Sequence, residues 1–313
     1  MPTTTPTPPS VAAIVLNYNG KEITLEAIES LSQMTYENFS ILHIDNGSTD
    51  GSFEAVAERF PDVINLRVEE NRGAARGLNY GMKAGCDRGF DYLMIMNNDI
   101  GVEASMLTEM MSVATSDPTI GAVQPKMYYY WDRERLWSAG GILRFWIAPT
   151  RERGMGEIER GQYERTEEVD YVNGVALLTP RAVFEQVGYF DPTFNLAGED
   201  ADWCMRMKRL GYKAVYAHRG VLYHMVSHTA GSYVPRRTYW TGRSLSLFVR
   251  RYARLGQWLG FFLLTIPALK LAWLRELTRG NAGAVVQKFR GVMAGLREPM
   301  PEPPGFDDPD ALP

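Results

Sequence analysis

The amino-acid sequence predicts an α/β fold: a mostly parallel, Rossmann-like sheet flanked by helices, followed by a helical C-terminal extension. Three observations predict it. From Val11 to about Asp99, short β-branched or apolar runs alternate with helical stretches, the pattern of parallel strands joined by crossover helices. Each run ends in a polar cluster, and ligands of open α/β sheets bind at the carboxyl edge of the strands. Beyond Pro235 the composition turns basic and then apolar.

The first strands are expected at 11–16, 39–44, 63–68 and 92–96. Between the first two, Ile23, Ala27, Ile28, Leu31 and Met34 recur at helical spacing with Glu22, Glu26 and Glu29 among them, which makes an amphipathic crossover helix. The strands end in Asn17-Tyr18-Asn19-Gly20, Asp45-Asn46-Gly47-Ser48-Thr49-Asp50, Asn71-Arg72-Gly73 and Asn97-Asn98-Asp99. These four clusters define one candidate crevice. A strand is expected at 120–126. Residues 128–161, rich in aromatics, glycine and arginine, read as a mobile loop over a site, with Gly140-Gly141 giving it freedom. Order returns with a strand at 169–179 and a helix at 181–187 closed by Gly188. The acidic cluster Glu199-Asp200-Ala201-Asp202 precedes a helix at 203–210 that stops at Gly211, a residue suited to the left-handed C′ position. A last strand at 214–217 leads to Val221-Leu222-Tyr223-His224.

Residues 1–10, mostly proline and threonine without a basic or apolar segment, are expected to form a disordered tail and not a signal peptide. Residues 298–313, rich in proline and aspartate, are expected to be disordered as well. Between them, 235–297 reads as a basic and apolar helical extension. Arg236, Arg237, Arg243, Arg250, Arg251 and Arg254 precede the apolar run 259–274, which Pro267 and Lys270 interrupt. The run falls short of the roughly 20 apolar residues that a spanning helix needs. Arginines facing anionic lipid, with Trp258, Phe261, Phe262 and Trp273 entering the interface, predict instead that 236–274 lies on a membrane surface. The alternative is a helical pair packed on the main domain or on a second subunit of a homodimer.

A formal charge of −4 over 313 residues provides no basic face for releasing phosphate counterions, which argues against nucleic acid as a partner. The two cysteines, Cys86 and Cys204, form no Cys-x-x-Cys pair and suit a reduced cytoplasm. The first polar cluster lacks the Gly-x-Gly-x-x-Gly turn of a dinucleotide fold, and no Walker sequence follows any strand, so a dehydrogenase and a P-loop enzyme are disfavoured.

What remains is a sheet edge of planar and acidic groups. Tyr18 can stack on a base, and Asp45 can accept a hydrogen bond from the imide N–H of uridine or thymidine; an Asx turn with a helix cap is the plainer role for the Asp45 cluster. Asp99 can hold Mg²⁺ or Mn²⁺ against a diphosphate, because Mg²⁺ commonly takes only one or two protein carboxylates and completes its shell with phosphate oxygens and water; it can equally cap the next helix. His224 is able to offer an imidazole to the same ion. Glu199, Asp200 and Asp202 crowd a helix start, where the dipole favours anions. Crowding raises their proton affinity while the dipole lowers it, a balance that can poise a general base.

Taken in order, Val15 to Gly20, Ile44 to Ser52, Asn71-Arg72-Gly73 with Asn79 and Gly81, Asn97-Asn98-Asp99, and Gly198 to Trp203 resemble the family 2 glycosyltransferases of GT-A fold. The resemblance spans 11–228 and implies a domain over 11–234, with 11–99 binding nucleotide and 100–234 binding acceptor. It implies that Asn17, Tyr18, Asn19, Asp45, Asn71, Arg76, Asn97 and Asn98 line the nucleotide-sugar pocket and that Asn98 with Asp99 stand for the Asp-x-Asp metal motif. Asp200 would be the catalytic base and His224 a metal or diphosphate contact. Gly140, Glu199, Asp202 and Trp203 fall on the acceptor side. Asn97 replaces the first aspartate of the metal motif, leaving Asp99 as its only anionic ligand. The Gln-x-x-Arg-Trp signature of processive synthases is absent, which implies addition of a single sugar. Val172-Asn173-Gly174-Val175-Ala176 through Gly188-Tyr189-Phe190-Asp191 is most similar to bacterial rhamnosyl- and galactofuranosyltransferases.

The expectation is therefore an inverting, divalent-metal-dependent transferase at the cytoplasmic face of a membrane. It would move one sugar, L-rhamnose from dTDP-rhamnose or alternatively galactofuranose or another sugar from a UDP donor, onto a glycan or polyprenyl-diphosphate-linked acceptor. Two other classes share parts of this pattern. A sugar-1-phosphate nucleotidyltransferase would carry a Gly-rich, basic loop where Asn17-Tyr18-Asn19-Gly20 stands, and a non-catalytic nucleotide-binding protein would need the metal site to be unproductive.

Overall fold

The computed structural model describes residues 7–146, 149–194, 196–226 and 235–313, the side chains of 235 and 236 apart. The expected domain boundary at 234 and the side chain of Arg236 lie outside the described residues.

The sheet is built around β1 (Val11–Asn17), whose alternating apolar residues are buried on both faces. It pairs in parallel with β2 (Phe39–Asn46) on one side and β4 (Tyr92–Asn97) on the other, and β3 (Ile64–Val68) continues beyond β2. The strand order therefore reverses at β1, which places the switch point of the sheet between Asn17 and the end of β4. The crossovers are α1 (Lys21–Leu31), α2 (Ser52–Arg59) and α3 (Ala74–Asp87). α1 buries Thr24, Leu25, Ala27, Ile28 and Leu31, the spacing of one helical face. α3 lies closer to the sheet, because Gly77, Gly81 and Gly85 face it: a Cβ at Gly81 would stand 2.5 Å from Ile14, and one at Gly85 2.6 Å from Leu93.

The second half extends the sheet. β11 (Ala176–Pro180) runs antiparallel to β4 and to β6 (Ile120–Tyr129), and β12 (Lys213–His224) runs parallel to β6. β5 (Ile100–Val102) and β10 (Glu167–Val169) pair with β12 at its edge, while α4 (Met106–Ala114), α5 (Arg181–Val187) and α6 (Glu199–Arg209) cover the faces. One apolar core lies on each side of the sheet.

Several expectations are corrected. Residues 128–161 are a ladder, with β7 (Asp132–Ser138) on β6 and a small hairpin of β8 (Gly141–Leu143) and β9 (Thr150–Glu152). Gly140 is no hinge: it has φ +107° and packs on Val169. The expected strand at 169–179 is two strands interrupted at 170–175. The acidic cluster is not a loop before a helix, since α6 begins at Glu199.

Residues 1–6 of the expected N-terminal tail lie outside the described residues; the described parts of both tails differ from expectation. The carbonyls of Pro8 and Pro9 accept hydrogen bonds from Asn38 Nδ2 (2.7 Å) and the Tyr36 hydroxyl (2.8 Å). At the other end Phe306 stacks on Tyr189 with centroids 5.5 Å apart, and buried Asn79 Nδ2 donates to the carbonyls of Phe190 and Ala311, each at 2.9 Å. Proline-rich composition predicts disorder only where nothing docks the chain; here one aromatic side chain and one buried amide do.

The extension is three helices, α7 (Pro235–Tyr252), α8 (Leu255–Leu277) and α9 (Ala282–Arg297). Gly242, Gly291 and Gly295 let α7 and α9 approach backbone to backbone. α7 also packs on the catalytic domain, with Phe248 stacked on Phe145 at 5.8 Å. This engages three of the six arginines expected to meet lipid. Arg251 pairs with Asp191 and Asp202 (2.7 Å each), Arg243 with Glu298 (2.6 Å), and Arg250 caps the carbonyls of Gly295 and Glu298. Phe261 is buried against Val249 and Val292, not in an interface. α8 runs unbroken through Pro267 and Lys270 and, by length and composition alone, is apolar enough to cross a membrane, contrary to the shorter run expected. Its Leu259, Leu263, Ile266 and Leu271 are exposed.

Candidate active site

The switch point is held by side chains. Asn17, fully buried, accepts at Oδ1 from the Gly20 N–H and from Asn98 Nδ2, both at 3.1 Å, and donates to Ser48 Oγ. Asn98 Nδ2 also donates to Thr24 Oγ1. Asn19 takes φ +51°; its N–H donates to Ser48 Oγ and its Oδ1 accepts from the Thr49 N–H at 2.8 Å. These asparagines fasten the ends of β1, β2 and β4 to one another. The cavity beside them, about 520 Å³, is bordered by Tyr18, Asn46, Asn71, Asn98, Arg237 and Trp240 among others, a size usual for a small-ligand site. Tyr18 is 53% exposed and free to stack.

Asp45 is buried at the end of β2. Oδ1 accepts from the Ser48 N–H at 2.9 Å, forming the Asx turn, while Oδ2 is buried without a hydrogen-bond partner. Oδ1 also lies 3.7 Å from Arg67 Nε, so the carboxylate is paired at one oxygen and unpartnered at the other, and a buried acceptor of that kind requires an explanation. Asn71 Oδ1 accepts from the Gly73 N–H at 2.8 Å, which shapes the cavity rim.

At the edge of β5, Asp99 Oδ1 lies 3.2 Å from His224 Nε2. Asp99 Oδ1 and His224 Nδ1 are both buried without a hydrogen-bond partner. A carboxylate oxygen left open beside an imidazole nitrogen fits a divalent ion that completes its shell with diphosphate and water. Among the described residues no three His, Cys, Asp or Glu side chains converge as a metal cluster, so Asp99 and His224 are a pair to which phosphate oxygens and water would have to be added.

Asp200 sits in the first turn of α6. Its Oδ2 accepts from the Gly174 N–H at 2.9 Å and its Oδ1 from the Ala201 N–H at 2.7 Å. Burial pushes its pKa up, and these backbone donors pull against that rise. Burial, then the adjacent Asp200 charge, pushes Glu199 up as well. Glu199 Oε2 has no partner, so Asp200, with two donors, is the better-stabilised anion of the pair. Gly174 leads into Val175, whose carbonyl accepts from the Asn97 N–H at 3.1 Å. Asp200 is thereby tied to the same end of β4 from which Asp99 emerges, and the two acids, distant in sequence, stand at one strand terminus.

Other expected residues lie elsewhere. Arg76 points away from the crevice, its Nε donating to the Asp310 carbonyl at 3.2 Å beside the C-terminal segment. Asp202 is fully buried and paired with Arg206 and Arg251. Trp203 is fully buried, its indole N–H donating to the Gly188 carbonyl. Both residues anchor α6 and face away from any acceptor. Asn97 is exposed, and its backbone rather than its amide makes the tie to Val175.

Glu152 and Trp240 carry no role in the sequence reading, and Arg237, expected to face lipid, instead borders the cavity. The Glu152 carboxylate accepts from Ser138 Oγ, from the Tyr171 hydroxyl at 2.8 Å and from Asn173 Nδ2 at 2.9 Å. Desolvation raises it to about 7 against these three donors. Asn173 precedes Gly174, so Glu152 braces the turn that holds Asp200. Its strand has only three residues, and no sequence signal marks it. Arg237 and Trp240 fall in a stretch whose basic and aromatic character suited a membrane surface equally well.

Residues 8–245, most of the chain, match the family described as glycosyltransferase like family 2. The chain belongs to this family. This glycosyltransferase is 29% identical over 223 residues, 65% of its own length and 72% of the relative's, to an N-acetylglucosaminyl-diphospho-decaprenol L-rhamnosyltransferase of Mycobacterium tuberculosis. It is 25% identical over 239 residues to a poly-beta-1,6-N-acetyl-D-glucosamine synthase of Staphylococcus aureus, spanning only 54% of the synthase. The mannosyltransferase PcManGT of Pyrobaculum calidifontis, solved with GDP-Man and Mn²⁺, superposes with a TM-score of 0.59 at 17% identity, covering 92% of this chain and 87% of that one, which shows a shared GT-A-type fold.

Proposed function

We propose that this family 2 glycosyltransferase transfers a single sugar with inversion from a nucleoside diphosphate to a hydroxyl of a polyprenyl-diphosphate-linked or cell-surface glycan acceptor, with L-rhamnose from dTDP-rhamnose as the donor. The observation that carries the reaction type is the placement of Asp200: a half-buried carboxylate held by two backbone N–H groups and tied to the end of β4, after which Asp99 meets His224 of β12. The rhamnosyl group and the lipid-linked acceptor are supported by the M. tuberculosis relative, whose name states both.

In this reading Tyr18 stacks on the base and Asp45 Oδ2 accepts its imide proton, which favours thymidine or uridine. Asp99 and His224 would hold Mg²⁺ or Mn²⁺, and the ion, when bound, supplies Lewis-acid stabilisation of the leaving diphosphate. Use of such an ion is supported by the Mn²⁺ in the neighbouring fold. Asp200 takes the proton of the acceptor hydroxyl as that oxygen bonds to the anomeric carbon from the face opposite the diphosphate, whose bond to that carbon breaks. A raised proton affinity makes Asp200 a stronger base than an exposed aspartate. The enzyme works at the cytoplasmic face of a membrane, where the exposed apolar residues of α8 meet lipid.

Asp200→Asn tests the assignment. Transfer, followed as nucleoside-diphosphate release from dTDP-rhamnose with acceptor and Mn²⁺, should fall by about 10²–10⁴, the typical contribution of a positioned base, while donor affinity stays within twofold or so because the amide preserves shape. Near-normal turnover in this variant would remove Asp200 from the mechanism.

A further inference from the structure

A cavity of about 420 Å³ lies between α7, α8 and α9 and the catalytic domain, within the size range of ligand sites. Leu245, Phe248, Leu269 and Val285 make its wall apolar. Of the polar side chains that border it, Thr241 donates to the Thr238 carbonyl, whereas three others have no protein partner among the described residues. Ser244 Oγ and Thr265 Oγ1 belong to side chains that are almost wholly buried, and neither has a hydrogen-bond partner. Lys288 makes no ion pair or hydrogen bond among the described residues, and burial alone lowers its pKa. Buried polar groups are ordinarily paired; a largely apolar cavity bordered by two unpartnered hydroxyls and a half-buried cation is complementary to an amphiphile with an anionic head.

Two features select among amphiphiles. The small residues Ala268 and Ala272, one helical turn apart on α8, form part of the wall, while the same helix exposes Leu259, Leu263 and Ile266, so the cavity sits beneath the surface that meets lipid. One cavity with one cation suits a single chain with a phosphate rather than a two-chain phospholipid. Gly198, which also borders the cavity, immediately precedes Glu199 and Asp200, so the cavity reaches the helix start that carries the proposed base.

We infer that this cavity binds the first prenyl units of a prenyl-phosphate-type acceptor lipid, with Lys288 facing the phosphate and Ser244 and Thr265 donating to its oxygens. The inference rests on the proposed lipid-linked acceptor but is measured without it. Farnesyl phosphate, titrated calorimetrically into the full chain in mild detergent, should bind at one site. Lys288→Met should weaken it by roughly tenfold or more, the loss of one hydrogen bond to a charged group, and leave farnesol binding unchanged. Ala268→Phe should abolish binding of both, and Ala272→Phe provides a second filled cavity should the first variant fold poorly. Binding of dTDP-rhamnose, which needs only the crevice at β1 and β4, should persist in every variant and reports that each is folded. Farnesyl phosphate binding that is unaltered in the filled-cavity variants, binding that inorganic phosphate alone reproduces, or binding seen only with phosphatidylglycerol vesicles overturns the inference. Loss of dTDP-rhamnose binding in the unmutated chain instead sinks the donor reading and leaves the cavity to be judged by farnesyl phosphate.

Discussion

Asp200 and Glu152 are two carboxylates whose burial raises their proton affinity for different ends. Asp200 is the proposed base, whereas Glu152 sits two hydrogen bonds behind it, bracing Asn173. Its folded pKa of about 7 lies above the ordinary 4.5, so the native state binds a proton more tightly than the unfolded chain. The stability this provides is complete below pH 4.5 and is lost as pH rises through about 7. Glu152→Gln, which keeps the shape and cannot titrate, should therefore flatten the decline in melting temperature between those pH values, read by thermal unfolding across that window; an unchanged slope means that Glu152 titrates normally. At this scale the sequence was informative where the residue type is unusual for its place. Asp45, Asp99, Asp200 and His224 stood out as polar groups at strand or helix ends; Asp45 and His224 are buried and Asp99 and Asp200 half-buried, with open or backbone-held polar atoms. It misled where one side chain has two plausible uses. Arg76, Asp202 and Trp203 have the chemistry of a binding site, but they are spent on the C-terminal segment, an ion-pair network and the core. Only the tertiary partners, Asp310, Arg251 and the Gly188 carbonyl, settle that choice, and all lie remote in sequence from at least one of their partners.

Among the elements, the parallel half was legible because its signals are local and redundant: the apolar run of β1, the helical face of α1 and the polar cluster after each strand agree. The ladder β6 to β9 was not, because strands of three residues with exposed charged positions provide no period to read, and their aromatics resemble those of a loop over a site. The glycines of α3 show how an element can be placed by what it lacks. Gly81→Ala would raise helix propensity by about 1 kcal/mol in an exposed helix. Here the new Cβ would stand 2.5 Å from Ile14 and 2.9 Å from Ile44, and overpacking of this kind costs about 1–3 kcal/mol. Chemical denaturation should show net destabilisation, together with weaker donor binding because α3 carries Ala74 at the rim of the nucleotide cavity; a more stable variant would show that α3 can move off the sheet without cost.

The whole molecule joins the proposed donor crevice, the proposed base and a helical extension with an exposed apolar face around one main sheet. The extension is not a separate anchor, since Arg251 of α7 binds Asp202 in α6, the helix whose first turn carries Asp200. Basic composition therefore overstated the charge available to a bilayer, and apolar composition understated the length of α8. The account as a whole requires that the acids at the ends of β4 and at the start of α6 address the same sugar. Crystals grown with dTDP-rhamnose and Mn²⁺, measured at the manganese absorption edge, test this most directly. The account predicts an anomalous peak in contact with Asp99 and His224 and a sugar whose anomeric carbon lies between that peak and Asp200. A donor bound with its sugar turned away from Asp200, or manganese bound elsewhere, contradicts it.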